Sequence, residues 1–477
     1  MNRLNPTDLG KVHFIGLGGA GMSAVARVLL AQGIEVSGSD SKDSQGLRAL
    51  ETLGAEVFVG HDAAHVAGAD TVVVSTAIRE QNPELAAARS RGLRIIHRSV
   101  ALSAAMGEQD LIAVAGTHGK TTTTAMVTVM LREAGLDPSF AIGGDVAALG
   151  VNAAHGAGPV FVAEADESDG SFLNYNPRIS VVTNVEADHL DHYGTEEAVF
   201  ASFDAFTALL PAEGLLVACA DDAGAVALVE RCPGVRVATY GYAAGADVRV
   251  TDTRPAGAGS ASTLQYNVDG RDGEVQLVLQ VPGAHNILNA AAAFAVALEL
   301  GVDPRVAAAG LATFSGAARR FESRGSARGV QVFDDYAHHP TEVDAALKAA
   351  RTVAGGHRVH VLFQPHLFSR TRNFAAEFAA ALDLADTATV LDIYPAREDP
   401  IEGVTSELIT SRLHVPGGYA DSPERAVAQV ADSADEGDII LTVGAGDVTV
   451  LGSELVARLA AVPARSAAGA GKAANGR

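Results

Sequence analysis

A lone lysine inside a glycine-rich loop is the strongest chemical signal in this sequence. Residues 113–127 read AVAGTHGKTTTTAMV, and Lys120 is one of only five lysines, at 11, 42, 120, 348 and 472, in 477 residues. Loops of the form G-x-x-x-x-G-K-[ST] hold nucleoside phosphates: backbone N–H groups cradle the phosphates, the lysine neutralises them, and the Ser/Thr hydroxyl meets Mg²⁺. Here Val114 stands six positions before the lysine, and Gly116 and Gly119 leave a shortened G-x-x-G-K-T. The shortening changes the width of the cradle and not its chemistry. Gly116, Thr117, His118, Gly119, Lys120, Thr121 and Thr122 are therefore candidate ATP ligands; the bland alternative is a threonine-rich helix start with a surface lysine.

A metal-bound nucleotide also needs carboxylates on neighbouring strands. PVFVAEADESD supplies Glu164, Asp166, Glu167 and Asp169 after one apolar run, and VVTNVEADHLDHYG supplies Glu186, Asp188, His189, Asp191 and His192 after another. Mg²⁺ takes oxygen ligands and keeps several waters, so one or two of these acids suffice. A zinc site built on His189 and His192 with acids, or a solvated acidic turn, are the rival readings.

A second glycine loop lies near the N-terminus. Gly16-Leu-Gly18-Gly19-Ala-Gly21 follows an apolar run, opens an amphipathic segment, and has Asp40 24 residues after its first glycine. That matches the dinucleotide fingerprint in context. Glycines and a helix N-terminus recognise a pyrophosphate, which leaves open a nicotinamide cofactor, another diphosphate, or a tight turn with no ligand.

These residues need elements to position them. Residues 11–40 read strand, glycine turn, helix, strand, and AEVFVG, TVVVSTAI and LRIIHRS continue an α/β unit over 1–107. LIAVAGTHGKTTTTAMVTVMLREAG opens a second segment, 108–318, with strands PVFVAEADE, ISVVTNVEADH and GLLVACADD; short alternating runs over 245–282 read as antiparallel strands before the helix PGAHNILNAAAAFAVALELG. A third α/β segment, 319–462, has four apolar runs with polar ends, GVQVFDDYAHHP, RVHVLFQPH, TATVLDIYP and DIILTVGAGD, and 463–477 reads as a low-complexity, disordered tail. Ligands gather at the carboxyl ends of strands in such sheets.

The bulk properties narrow the function. A formal charge of −22 argues against a nucleic-acid partner, and the apolar runs fall short of a membrane span. The first residues lack the pattern of a signal peptide, and two cysteines, Cys219 and Cys232, make no disulfide framework. A cytoplasmic protein, monomeric or weakly dimeric, is expected.

Taken together, GLGGAGMSAVA, SGSD, STAIREQNPE, GTHGKTTTT, EADESDGSFL, TNVEADHLDHYG, PGAHNILNA, RRFE, DDYAHHPTE, FQPHLFSRT, DIYPAREDP and GAGD resemble the Mur ligases, ATP-dependent amino-acid ligases of peptidoglycan synthesis, over about residues 10–460. The resemblance implies three α/β domains: an N-terminal Rossmann-like domain for the UDP-sugar, a central P-loop ATPase-type domain with a small antiparallel β part, and a C-terminal Rossmann-like domain for the amino acid. It replaces the nicotinamide reading: the diphosphate at Gly18, Gly19 and Gly21, with Asp40 and Ser75, becomes that of UDP-N-acetylmuramate. The implied reaction joins L-alanine to the muramate carboxylate through an acyl phosphate, with ATP and Mg²⁺.

The same resemblance implies roles for single residues. Lys120 neutralises the β- and γ-phosphates, Thr121 and Glu164 hold one Mg²⁺, and His189 contacts a second metal. Asn286 and Asn289 lie on the adenine side, Arg320 and Asp335 reach the nucleotide, and Tyr336, His338 and Arg370 face the amino acid. Some sister ligases place a carbamylated lysine near the metals; with no lysine between 120 and 348, that chemistry is absent here and Glu186 and Asp188 must supply the charge. Some members also carry arginine after FQPH, where this chain has Leu367. The alternatives are a recycling ligase that adds a tripeptide to the same UDP-sugar, and a nucleotide switch that hydrolyses ATP without forming a bond.

Overall fold

The computed structural model describes residues 4–461 apart from 269 and 397, with the backbone alone at 191. The tail expected over 463–477 lies outside the described residues. Contacts divide the chain into two compact units, Met1–Ala318 and Arg319–Arg477.

The first unit carries two sheets. The N-terminal one has β1 Val12–Ile15, β2 Val36–Asp40, β3 Glu56–Val59, β4 Thr71–Val74 and β5 Arg94–His97. All pairs are parallel, in the order β3-β2-β1-β4-β5. Chain order reverses at β1, so the glycine loop after β1, Asp40 at the end of β2 and Ser75 just past β4 share one edge, the switch point of a doubly wound sheet. The helix that leaves this loop, Ala20–Ala31, starts at Gly19 and ends before Gly33, whose φ of +79° suits glycine.

The central sheet has ten strands: β6 Asp110–Ala115, β7 Ser139–Ala141, β8 Ala153–Ala154, β9 Val160–Glu164, β10 Ile179–Val182, β11 Leu215–Cys219, β12 Arg236–Gly241, β13 Val248–Ala256, β14 Gly259–Val268 and β15 Arg271–Leu279. Their order is β15-β14-β13-β12-β11-β10-β6-β9-β7-β8. β6 pairs in parallel with both β9 and β10, which aligns the lysine loop with the two acidic segments. The antiparallel part is the meander β13-β14-β15. Helix Ala284–Glu299 is buried along nearly its whole length and packs on the lysine-loop helix Lys120–Glu133. Ala290, Ala291, Ala292, Ala293, Ala295 and Ala297 of the first of these helices are all fully buried.

The second unit holds β16 Glu322–Ala327, β17 Val330–Asp335, β18 Val359–Phe363, β19 Thr387–Val390, β20 Gly417–Tyr419 and β21 Ile439–Val443. The order is β16-β17-β21-β18-β19-β20, parallel except for β16. The four apolar runs are β17, β18, β19 and β21. The edge strands β16 and β20 add two that hydrophobic pattern does not reveal.

Candidate active site

Gly116 and Gly119 are required where they stand. Gly116 has φ +136°, and a Cβ there would lie 2.0 Å from Thr183 Oγ1; Gly119 has φ +82° and would meet Asn289 Oδ1 at 2.9 Å. The loop between them is held in large part by the segment after β10. The His118 N–H donates to Asn184 Oδ1 at 2.8 Å, Asn184 Nδ2 donates to the His118 carbonyl at 3.1 Å, and the Glu186 N–H donates to Thr117 Oγ1 at 2.9 Å. Thr122 is buried in the first turn of the helix.

Lys120 Nζ donates to the carbonyls of Gly116 at 2.7 Å and Thr117 at 3.0 Å and pairs with Glu167 at 2.9 Å. Burial works against its charge, but Glu167, Asp166 and Glu164 outweigh it and hold the pKa above the ordinary lysine value. Thr121 Oγ1 donates to Glu164 Oε1 at 3.1 Å, and the Gly143 N–H donates to Oε2 at 2.7 Å. Burial raises the Glu164 pKa against the pull of Lys120. Burial opposes the charge on Asp166 as well, yet Lys120 and Arg98 bring it down to about 2. His189, with φ +54°, points Nε2 at Glu167 Oε1, 3.4 Å away, and Asp188 Oδ2, 3.7 Å away.

The acid loop is anchored from below. Phe172 stacks on Phe206 at 4.8 Å between centroids and meets Phe203 edge-on at 5.5 Å, all three fully buried. Burial of one such ring stabilises by roughly 1.5–3 kcal/mol. The Tyr193 hydroxyl donates to the Glu167 carbonyl and ties the His189 turn to the same loop.

At the first glycine loop the Gly18 N–H donates to Asp40 Oδ2 at 2.9 Å, so Asp40 shapes the loop directly. Gly19 is exposed and Gly21 and Ser75 are half-buried along the same edge. Asn286 Nδ2 donates to the Pro282 carbonyl, and Asn289, one turn on, lies against Gly119.

Within the second unit, Asp335 accepts from the Phe321 and Ala337 N–H groups, each at 2.8 Å, and burial pushes its pKa up to about 6 despite Arg320. The Arg320 guanidinium lies 5.3 Å from the Tyr336 ring centroid and 3.9 Å from Glu342. His338 touches Tyr336 and His366 edge-on, at 5.2 and 5.6 Å, and burial drives its pKa down to about 3, leaving a neutral imidazole. Arg370 is buried in the short helix Phe368–Asn373, and Leu367 before it is buried with φ +69°.

The candidate residues thus form three groups: Gly18, Gly19, Gly21, Asp40 and Ser75 on the first sheet; the 116–122 loop with Glu164, His189 and Asn289 on the second; Arg320, Asp335, Tyr336 and His338 on the third. Residue types alone did not single out Glu167, the partner of Lys120, or Asn184, which brackets the loop. Arg98 also escaped notice: it follows β5, and its Nη2 donates to Asp166 Oδ2 at 2.8 Å. The visible signal was its place, a basic residue at the polar end of an apolar strand.

A chain with these three sheets and a shortened phosphate loop at the middle switch point is an α/β ligase of three-domain design. Residues 11–109 match the description "Mur ligase family, catalytic domain", 114–297 "Mur ligase middle domain", and 319–446 "Mur ligase, glutamate ligase domain". The chain belongs to the Mur ligase family. It is 63% identical over 455 residues to the UDP-N-acetylmuramate–L-alanine ligase of Paenarthrobacter aurescens (strain TC1), covering 95% of this chain and 98% of that protein. The enzyme of the same name from Thermobifida fusca (strain YX) is 54% identical, covering 96% and 100%. The crystal structure of the UDP-N-acetylmuramate-alanine ligase of Thermotoga maritima superposes with a TM-score of 0.79 at 30% identity, covering 94% and 98%. A murein peptide ligase from Psychrobacter arcticus 273-4 gives 0.70 at 25%, covering 96% and 100%.

Proposed function

We propose that the protein joins L-alanine to the carboxylate of UDP-N-acetylmuramate at the expense of ATP, in the synthesis of peptidoglycan precursors. The observation that carries this reading is likeness along the whole chain: 63% identity to an L-alanine ligase over 95% of its length, against 25% to a murein peptide ligase. The second reading, addition of a tripeptide, has in its favour likeness to two murein peptide ligases at 25% and 30% identity.

In this reaction a muramate carboxylate oxygen bonds to the γ-phosphorus of ATP while the bond to the β-phosphate oxygen breaks and ADP leaves. The alanine nitrogen then bonds to the acyl carbon, inorganic phosphate leaves, and the amine gives up a proton. Phosphoryl transfer asks a protein mainly for positioning and charge. Lys120 serves both: its ammonium exchanges the Gly116 and Thr117 carbonyls for phosphate oxygens, and Glu167 keeps it aimed. Thr121 and Glu164 offer a hydroxyl and a carboxylate 3.1 Å apart, an oxygen donor set that fits Mg²⁺. Mg²⁺ held there supplies positive charge beside the phosphates. His189, oriented by Glu167 and Asp188, would hold a second ion beside the muramate carboxylate. The Gly18–Gly21 loop receives the diphosphate of the sugar at the start of the helix it opens, as helix N-termini do. Tyr336, neutral His338 and Arg370 receive the amino acid, the arginine suited to its carboxylate.

ATP and a UDP-sugar are cytoplasmic metabolites, which assigns the protein to that compartment. Among the described residues no helix is long and apolar enough to cross a membrane. The test is phosphate release from Mg-ATP with UDP-N-acetylmuramate, comparing L-alanine, a cell-wall tripeptide and no acceptor. Release that depends on L-alanine, with a product heavier by one alanyl residue, supports the reading. Release with tripeptide alone, or without any acceptor, refutes it.

A further inference from the structure

Arg98 has no part in the roles given above, yet it stands where the two sheets of the first unit meet. It is the first residue of helix Arg98–Met106. Its Nη2 donates to Asp166 Oδ2 at 2.8 Å, two residues past Glu164. Its Nη1 lies beside the opening turn of the glycine-loop helix, so near that a Cβ on Gly21 would meet it at 2.9 Å. One cation therefore bridges the first glycine loop and the acids beside Lys120.

The joint around it is pinned on both sides. His97 Nε2 lies 3.6 Å from Asp169 Oδ2, and Asn174 Nδ2 donates to Ser99 Oγ at 2.8 Å. From the central sheet, Asn152 Nδ2 donates to the Ala20 carbonyl at 3.1 Å. Among the described residues Asp166 is the hydrogen-bond partner of Arg98, and it uses one of the five N–H donors of the guanidinium. The side chain is 23% exposed.

We propose that Arg98 reads the lactyl carboxylate of the UDP-sugar, the group that separates UDP-N-acetylmuramate from UDP-N-acetylglucosamine, and is thus a specificity-determining residue. The inference rests on the assignment of the first loop to a UDP-sugar and deepens it. Three observations favour the carboxylate over the diphosphate as its target. The glycine loop has its own N–H groups and helix start for the diphosphate. The guanidinium faces Asp166, whose sequence neighbour Glu167 is the partner of Lys120, so a carboxylate held by Arg98 lies toward the lysine loop. And Asp166 is itself a carboxylate at hydrogen-bond distance, a stand-in that demonstrates the fit. When the sugar binds, its carboxylate replaces that of Asp166, so the charge around Arg98 stays balanced while the guanidinium gains the planar, bidentate partner it favours.

The test is calorimetric binding of two probes, UDP-N-acetylmuramate and UDP-N-acetylglucosamine, to the whole protein with Mg²⁺ and β,γ-imido-ATP. In Arg98→Met, affinity for the muramate should fall about tenfold or more, while that for the glucosamine stays within about twofold. Equal losses on both probes would overturn the proposal, because Arg98 would then serve the diphosphate. Unchanged muramate affinity would overturn it too, as would a wild-type protein with no preference between the probes. Wild type that binds neither probe would instead defeat the assignment of the loop to a UDP-sugar. Should Arg98→Met fail to fold, Asp166→Asn decides. Removal of the competing carboxylate should raise the preference for muramate over glucosamine, and a preference that stays level or falls refutes the exchange.

Discussion

Glu84 offers the sharpest test of how the N-terminal sheet is held together. Its side chain is fully buried in the first turn of helix Pro83–Ser90. Oε2 accepts from Ser39 Oγ at 2.5 Å and lies 3.2 Å from His61 Nδ1, while Oε1 lies 2.7 Å from His65 Nδ1; buried His13 Nε2 stands 3.8 Å off. Burial alone would raise this carboxyl, but His13, Ser39 and His65 reverse the shift and bring it from 4.5 to about 2. A folded-state pKa below the unfolded one stabilises at pH above the unfolded value and is lost as pH falls toward the folded value. A fall from 4.5 to about 2 amounts to roughly 3 kcal/mol at pH 7, of which about half remains near pH 3. Glu84→Gln keeps an acceptor for Ser39 and removes the charge. Urea unfolding read by pulsed amide exchange in peptides covering β1 and β4, from pH 7 to pH 3, should give a gap between wild type and variant that narrows by about half. A gap that is the same at both ends of the range would refute the electrostatic argument and leave only packing.

Lys120→Ala should cut turnover at least about a hundredfold, the loss expected of a residue that stabilises charge on the transferred phosphoryl group, while UDP-sugar binding stays nearly intact; loss of sugar binding in that variant would mean the two loops have been assigned the wrong way round. Gly116→Ala places a Cβ 2.0 Å from Thr183 Oγ1 on a backbone with φ +136°, and strain of this kind costs about 1–3 kcal/mol before the overlap is added. Adding Thr183→Ala relieves the overlap but leaves the backbone strain and also removes the Thr183 hydroxyl's bond to the His118 carbonyl, so the double variant should recover part of the lost melting temperature and no more. Asp335, raised to about 6, holds its proton more tightly folded than unfolded. Its contribution to stability is present below the ordinary carboxyl value and lost as pH rises through 6. A carboxyl resonance from selectively labelled aspartate should titrate near 6 and vanish in Asp335→Asn; titration near 4 would disprove the burial argument.

The architecture was legible where signals are local. A glycine after an apolar strand and before an amphipathic segment marks a strand–loop–helix unit, and both such units stand at the sheet positions where chain order reverses. Edge strands were harder to see: GGY of β20 and ESRGSA of β16 have neither apolar alternation nor burial to leave a pattern. At the sites, residue type pointed to the lysine, threonines and acids. Their supports were invisible because they come from far along the chain. Asn184 looks like any strand-end asparagine until β10 pairs with β6. Glu84 looks like a solvated first-turn acid of the kind that favours a helix start, and only the distant His13, His61 and His65 make it a buried one. Arg98, between strand and helix, gains meaning only once Asp166 and Gly21 are brought to it.

The bracketing of His118 by Asn184 also bears on the order in which the chain acquires competence. The phosphate loop spans only a few residues, but its shape is set by hydrogen bonds across 66 to 69 positions of sequence. Such contacts form late, because distant segments must first be closed into a loop. A nascent chain released before residue 186 would contain every letter of the motif and still lack the cradle. Under the proposed assignment of ATP to this loop, nucleotide capture is a late event in folding, and bound ATP would hold the β6–β10 pairing in place by mass action.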